Sequence, residues 1–268
     1  MTPAKPRSLT YYWPSYAAVL REFRNGVALS WAHHYRRSLN EAAFRDGQKI
    51  RNVGSRSGFV DTVVEIWGLQ EYTANGFYTP KNGDVILDVG ANIGLFSVWV
   101  GRQAPEARVL AFEPFEENCT GMRANLAGWR HSVEVHQLAL GATAGVGAMM
   151  DGGDRSLDHR LTMSVSDSKP TVRVITLDDA VALAGTKMID LLKIDIEGAE
   201  ADVMGAASPS TMRRIRRIAL EFHDNIRPGT CAYVQELLKP THRIVAVHGS
   251  PYGILHAELL TESAGKPS

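Results

Sequence analysis

Val85-Ile86-Leu87-Asp88-Val89-Gly90-Ala91-Asn92-Ile93-Gly94 is an apolar run that ends in an acid and then in a glycine-bearing turn. The pattern predicts a strand, a tight turn and the opening of a helix. Glycines let backbone approach a ligand closely, and open sheets bind ligands where strand carboxyl ends meet helix N-termini. A dinucleotide fingerprint, Gly-x-Gly-x-x-Gly, would seat pyrophosphate on that helix N-terminus. Here Asn92 stands at the second glycine's place, and the Asp88 carboxylate is expected to repel phosphate and favour a cationic ligand. A sulfonium with an amino-acid tail fits this turn better than NAD does.

Working outward, short apolar runs alternate with helix-like segments, as in a parallel sheet built from βαβ units. Strands are expected at 85–89, 108–112, 133–138, 188–194 and 215–222, and helices at 95–103, 115–127, 177–184 and 199–206. Between 141 and 170 the pattern breaks into Gly, Asp, Ser and Arg, which predicts an inserted hairpin or mobile loop. Strands return at 243–248 and 253–259 as a terminal hairpin. Upstream, 14–83 reads as helical: Pro14 suits a first turn, Gly26 an end, and Val27, Trp31, Tyr35 and Leu39 continue one apolar stripe. Of 21 Phe, Trp and Tyr residues, 13 precede residue 81, Tyr72 among them, so this segment packs on a core or partner subunit or forms an aromatic lid. The expected organisation is a helical preface at 1–80, a ligand-binding sheet domain at 81–262 and a disordered tail at 263–268.

The second strand ends Leu110-Ala111-Phe112-Glu113-Pro114, with its acid 19 residues after Gly94. A carboxylate at an offset of ~20 residues grips ribose hydroxyls, which assigns Glu113 to the ribose over a plain N-capping role. Leu191-Leu192-Lys193-Ile194-Asp195-Ile196-Glu197-Gly198-Ala199-Glu200 brings further acids to the same edge. Alternation puts Lys193, Asp195 and Glu197 on one side, so carboxylates offset the burial of the lysine; a structural ion pair is the plain alternative. Leu220-Glu221-Phe222-His223 adds an acid and a histidine. An imidazole, with an ordinary pKa of roughly 6.5, can take a proton near neutrality. His223 is the expected base, with Asp195 or Glu221 orienting it or the acceptor. The same three residues could hold a divalent cation, the less favoured reading.

Composition narrows the partners. The 268 residues are 44% hydrophobic and 22% charged, as in a globular protein, and Lys plus Arg equals Asp plus Glu at 29 each. That balance supplies no field for nucleic acid or an acidic membrane surface and favours a small, roughly neutral substrate. The basic run Arg213-Arg214-Ile215-Arg216-Arg217 reads as a solvated junction, and His33-His34 with His242 and His248 lack metal-site spacing. Cys119 and Cys231 fall in helix-like stretches and cannot build a disulfide framework, so a reducing cytoplasm is expected. No apolar core follows the first ten residues, and no run reaches the roughly 18 to 20 residues of a membrane helix, which argues against secretion and insertion.

Four stretches together resemble the FkbM-type S-adenosylmethionine-dependent methyltransferases: Asp88 to Gly94, Ala111-Phe112-Glu113-Pro114, Val174-Ile175-Thr176-Leu177-Asp178-Asp179, and Leu192 to Glu200. The resemblance spans about 58–223. It implies an α/β class I methyltransferase fold, Rossmann-like, whose seven-stranded, mostly parallel sheet has an antiparallel last strand and helices on both faces. It also implies S-adenosylmethionine as cofactor, S-adenosylhomocysteine as product, and methylation of a hydroxyl on a small molecule, often a sugar or polyketide-type natural product. On this pattern Asp88, Gly90, Asn92, Gly94, Glu113 and Pro114 bind the cofactor, and His223, Asp195 and Glu221 serve the chemistry. The family's insertion often carries serines; this chain has Gly152 to Asp158 there, so Ser156 receives no adenine-contacting role. An NAD-dependent oxidoreductase and an inactive binding subunit are the competing readings, and a homo-oligomer is compatible with the aromatic preface.

Overall fold

Ser8 accepts a bond from the Tyr11 amide and so opens the first helix, α1 (Leu9–Glu22). The computed structural model describes residues 8–53, 58–150, 160–162 and 171–260; Ser156 and the tail lie outside them. Pro14 sits inside α1 and not in its first turn, because the cap lies six residues earlier. Gly26 starts a second helix, α2 (Gly26–His34), where a Cβ would come within 2.8 Å of Leu20 Cα, so the glycine marks a close helix contact. The face of α2 turned inward carries Leu29, Ala32 and His33, which leaves Val27, Trp31 and Tyr35 exposed. The expected apolar stripe therefore points to solvent at these three residues, and only Leu39 packs against the core. A hairpin follows, β1 (Glu41–Ala43) with β2 (Lys49–Arg51), then α3 (Phe59–Val63), which continues as a π-helical stretch, Val64–Leu69, and a 3-10 stretch, Glu71–Gly76. The preface is thus mixed, not wholly helical.

The sheet segments follow closely: β3 (Val85–Val89), α4 (Leu95–Gln103), β4 (Arg108–Phe112), α5 (Glu116–Leu126) and β5 (Ser132–His136). The expected insertion holds β7 (Gly145–Met150) and β8 (Arg160–Thr162), flanked by β6 (Ala139–Leu140) and β9 (Thr171–Ile175); the four form a separate sheet in which β7 pairs antiparallel with both β8 and β9, and β9 pairs parallel with β6. Thr176 and Asp179 form a capping box that opens α6 (Leu177–Leu183), so the Val174 to Asp179 motif is a helix start. The chain closes with β10 (Leu191–Ile194), α7 (Glu200–Ala206), α8 (Pro209–Met212), β11 (Arg217–His223), α9 (Thr230–Leu238), β12 (His242–Gly249) and β13 (Tyr252–Leu259).

The main sheet has seven strands in the order β12-β13-β11-β10-β3-β4-β5, and β13 alone runs antiparallel to its neighbours. Period-two alternation splits it into two faces. Ile86, Leu191 and Ala219 join one core with Tyr16, Phe23, Phe44 and Trp67 of the preface and Phe96 and Trp99 of α4. Leu87, Val89, Leu192, Ile194 and Leu220 face the other core, with α6, α7 and α9. Register carries a polar row through the first face: Asp88 is the Cα partner of Lys193, which is the partner of Ala219, and Glu221 follows two residues on. The basic run is consumed locally, Arg216 pairing Asp190 at 3.2 Å and Arg217 pairing Glu258 at 3.4 Å. Among the described residues no helix is long and apolar enough to cross a membrane, and Cys119 and Cys231 are free and buried on α5 and α9.

Candidate active site

A cleft of about 490 Å³ opens at the carboxyl ends of β3, β4, β10 and β11. Its floor on one side is the Gly90 to Ile93 turn. Gly90 (φ 74°) passes so close to β10 that a Cβ would lie 1.7 Å from the Asp195 carbonyl oxygen, and no larger residue fits. Asn92 is also left-handed, at φ 50°, a conformation that asparagine tolerates better than most residues. Its presence at a fingerprint glycine position is therefore conformationally sound. Gly94 caps α4.

Glu113 binds the turn from β4. Its Oε2 accepts from the Asn92 amide at 2.9 Å, and its Oε1 accepts from the Phe115 amide and from Asn118 Nδ2, both at 3.1 Å. Burial raises its carboxyl above the ordinary value, although these donors and Lys193 pull the other way. A carboxylate has about four acceptor positions, so three bonds leave it able to take a hydroxyl from the cleft. Pro114 lines the cleft beside it.

Asp88 does not line the cleft. It is fully buried, its Oδ2 accepting from Ser97 Oγ at 2.8 Å and its Oδ1 lying 3.3 Å from Lys193 Nζ. Lys193 Nζ donates to the Gly90 carbonyl at 2.7 Å. Burial works against its charge, but Asp88 and Asp195 outweigh that and raise its pKa. The expected attraction of Asp88 for a cationic ligand is thus replaced by an attraction for Lys193, which in turn clamps the turn.

Beyond Lys193 the acids gather. Tyr72 Oη lies 2.9 Å from Glu221 Oε2 and 3.2 Å from Asp195 Oδ2. Burial, then Asp195 and Glu65, push the Glu221 carboxyl well above the usual carboxylate range. His223 faces carboxylates at both nitrogens: Nδ1 lies 3.0 Å from Glu200 Oε1, and Nε2 lies 3.3 Å from Glu197 Oε2. Burial opposes its charge, but the Glu200 bond and the charges of Asp195, Glu197 and Glu200 prevail and lift its pKa to about 10. At neutral pH it is an imidazolium without a lone pair, which speaks against the expected base. Glu197 reaches His223 because its backbone turns left-handed (φ 53°), which ends the simple alternation with Lys193 and Asp195.

Ligand atoms of Asp195, Glu197 and His223 lie within 4.8 Å of one another, the one such group among the described residues; Glu221 is not in it. A divalent cation bound there would take the place of the proton on His223 Nε2. Sequence reasoning counted Tyr72 only among the preface aromatics that pack or form a lid, and gave no role to Glu200 or Glu65. Glu200 had a signal, an acid at a helix start that here accepts from the Ile196 and Gly198 amides. Tyr72 and Glu65 had none, because their π and 3-10 stretches lack the helical period.

The match to known sequences settles the family: residues 88–244 correspond to the Methyltransferase FkbM domain. The chain belongs to this methyltransferase family. Among its relatives, the 31-O-demethyl-FK506 methyltransferase FkbM of Streptomyces tacrolimicus is 30% identical, over 54% of this chain and 67% of that protein. The 2-O-methyltransferase NoeI of Sinorhizobium fredii is 28% identical, over 54% and 65%. The AMB antimetabolite synthetase AmbE of Pseudomonas aeruginosa is 31% identical over 63% of this chain, which spans only 10% of AmbE. Among solved structures, an rRNA methylase from Clostridium thermocellum aligns with a TM-score of 0.47 at 12% identity, covering 73% of this chain and 97% of that one. The FkbM domain begins at Asp88, so the preface residues at the cleft, Tyr72 and Glu65 among them, lie outside it.

Proposed function

We propose that this FkbM-domain protein is an S-adenosylmethionine-dependent O-methyltransferase whose acceptor is a small-molecule hydroxyl, on a sugar or natural-product intermediate. The observation that carries the reading is the bond between Glu113 and the Asn92 amide, which ties a ribose-gripping carboxylate to a glycine turn in one cleft. Asn92 supports it further: its Oδ1 is buried with no hydrogen-bond partner among the described residues, an acceptor suited to an ammonium group. When bound, S-adenosylmethionine supplies an electrophilic methyl on sulfur. Glu113 would accept a ribose hydroxyl at its remaining acceptor position and the Gly90 to Ile93 backbone would seat the amino-acid tail. Phe59 and Ile66 of the preface wall the acceptor side and exclude water.

The acceptor hydroxyl must lose a proton to a group at the cleft. Glu221 takes that role, since burial and the neighbouring Asp195 and Glu65 charges raise its affinity for a proton. His223, held as a cation between Glu197 and Glu200, balances the acids around it. Calorimetry tests the reading directly: S-adenosylmethionine and S-adenosylhomocysteine should bind and NAD should not. Glu113→Ala should weaken both by about 1.5 to 3 kcal/mol, the size of a hydrogen bond to a charged group. A folded variant that titrates like wild type would remove the ribose assignment, and binding of NAD alone would favour the oxidoreductase. Binding without methyl transfer to any of a panel of hydroxylated small molecules would favour the inactive binding subunit.

A further inference from the structure

We infer that Tyr72, supplied by the preface outside the FkbM domain, is a positioning residue that holds the Asp195 and Glu221 carboxylates together against the reacting sulfur. Its hydroxyl lies within hydrogen-bond distance of both, although Tyr72 is 123 residues from one and 149 from the other along the chain. One O–H facing two carboxylate oxygens fixes where each can sit. The phenol is itself fixed. Gln70 turns left-handed (φ 52°) and ends the π-helical stretch, which throws Tyr72 into the cleft, where its ring packs edge-on against Phe96 at 5.5 Å. Lys193 Nζ stands 5.3 Å from the ring centroid, so the residue also abuts the clamp on the cofactor turn. Tyr72 is 8% exposed, and burial followed by the charges of Asp195 and Glu221 keeps its hydroxyl protonated, hence a donor.

This rests on the S-adenosylmethionine reading and adds to it that the two carboxylates, which line the same cleft as the Gly90 to Ile93 turn, face the sulfonium. Two partly buried like charges repel, and without a shared donor they separate or one takes up a proton. Either change lowers the preference of the site for a cationic sulfonium over a neutral thioether. The test compares the affinities of S-adenosylmethionine and S-adenosylhomocysteine, and so needs no acceptor. Tyr72→Phe keeps the ring and removes only the donor. S-adenosylhomocysteine should bind it within about twofold of wild type, while the preference for S-adenosylmethionine falls about fivefold, the weight of roughly one hydrogen bond. In a Glu221→Gln background the same substitution should change the preference by less than about twofold, since its partner is already altered. A merely structural tyrosine would weaken both ligands equally and act the same in either background, and that result overturns the inference, as does an unchanged or increased preference. Failure of wild type to bind either ligand would sink the cofactor reading instead. If Tyr72→Phe unfolds, Asp195→Asn and Glu221→Gln with their double variant report the same coupling, and strict additivity between them refutes it.

Discussion

Lys193 sits where a strand would ordinarily carry an apolar side chain, and its register opposite Asp88 explains why a charge is tolerated there. With Asp88 fully buried and Lys193 4% exposed, neither ion has water to fall back on. Removing one partner from such a pair costs about 3 to 5 kcal/mol, because the other is left as an uncompensated buried charge. Lys193→Met should therefore lower stability by about that much in urea denaturation, and the Lys193→Met, Asp88→Asn double variant should recover part of the loss. A double variant as unstable as the sum of the singles would show that the two groups act independently. The residue scale also shows how far local reading carries. Glu113 was placed by spacing and does line the cleft beside Asn92, whereas Asp88 was placed correctly on its strand but faces a lysine and not a ligand.

Among the elements, β13 packs against the preface next to the edge of the sheet. His256 stands in its middle, 1% exposed, stacked on Phe77 of the preface at 4.4 Å and 6.1 Å from His248. Burial, helped by the His248 charge, depresses its pKa to about 4, although bonds to the Glu71 and Tyr72 backbone oppose this. An unfolded histidine takes up a proton near pH 6.5, and the folded one does not until about pH 4. The neutral ring thus contributes stability above pH 6.5 that is lost as pH falls toward 4, by up to about 3 kcal/mol. His223 has the opposite sign: raised to about 10, it adds stability below pH 6.5 that disappears as pH rises through 10. Unfolding midpoints measured from pH 7 to 4 should accordingly fall more steeply for wild type than for His256→Phe. Parallel curves would place the acid sensitivity elsewhere. None of this was legible in the sequence, where His256 is one histidine in an alternating strand.

On the scale of the whole molecule the preface and the sheet share one core. Tyr16, Val19, Phe23, Leu29, Phe44 and Ile50 are buried in the cluster that holds Val98, Val109 and Leu191. Each buried side chain of this kind is worth about 1.5 to 3 kcal/mol, so the six together rival the roughly 5 to 15 kcal/mol that holds a domain folded. Deleting residues 1–50 should abolish the folded state, and with it S-adenosylhomocysteine binding, and intact protein should melt in a single calorimetric transition. A truncated chain that still binds would make the preface a detachable cap. The exposed aromatics Trp13 and Trp31 belong to this layer without entering the core, so aromatic content alone did not distinguish wall, lid and surface.

What the sequence determined by itself is what short-range physics controls. Apolar periodicity marked β3, β4, β10, β11 and the helices α4, α5, α6 and α7 within a few residues, though not the short α8, and the turn from Asp88 to Gly94 announced itself because glycine and asparagine are the residues that accept left-handed backbone. Only the tertiary structure decided the charge states and partners. Asp88 is balanced by Lys193 across two strands, and His223 is locked as a cation by acids from the β10 to α7 turn. Glu221 and Asp195 meet a phenol from a 3-10 stretch that carries no periodic signal. The energy of a buried charge depends on every group within a few ångströms, and in this fold those groups come from segments as much as 149 residues apart.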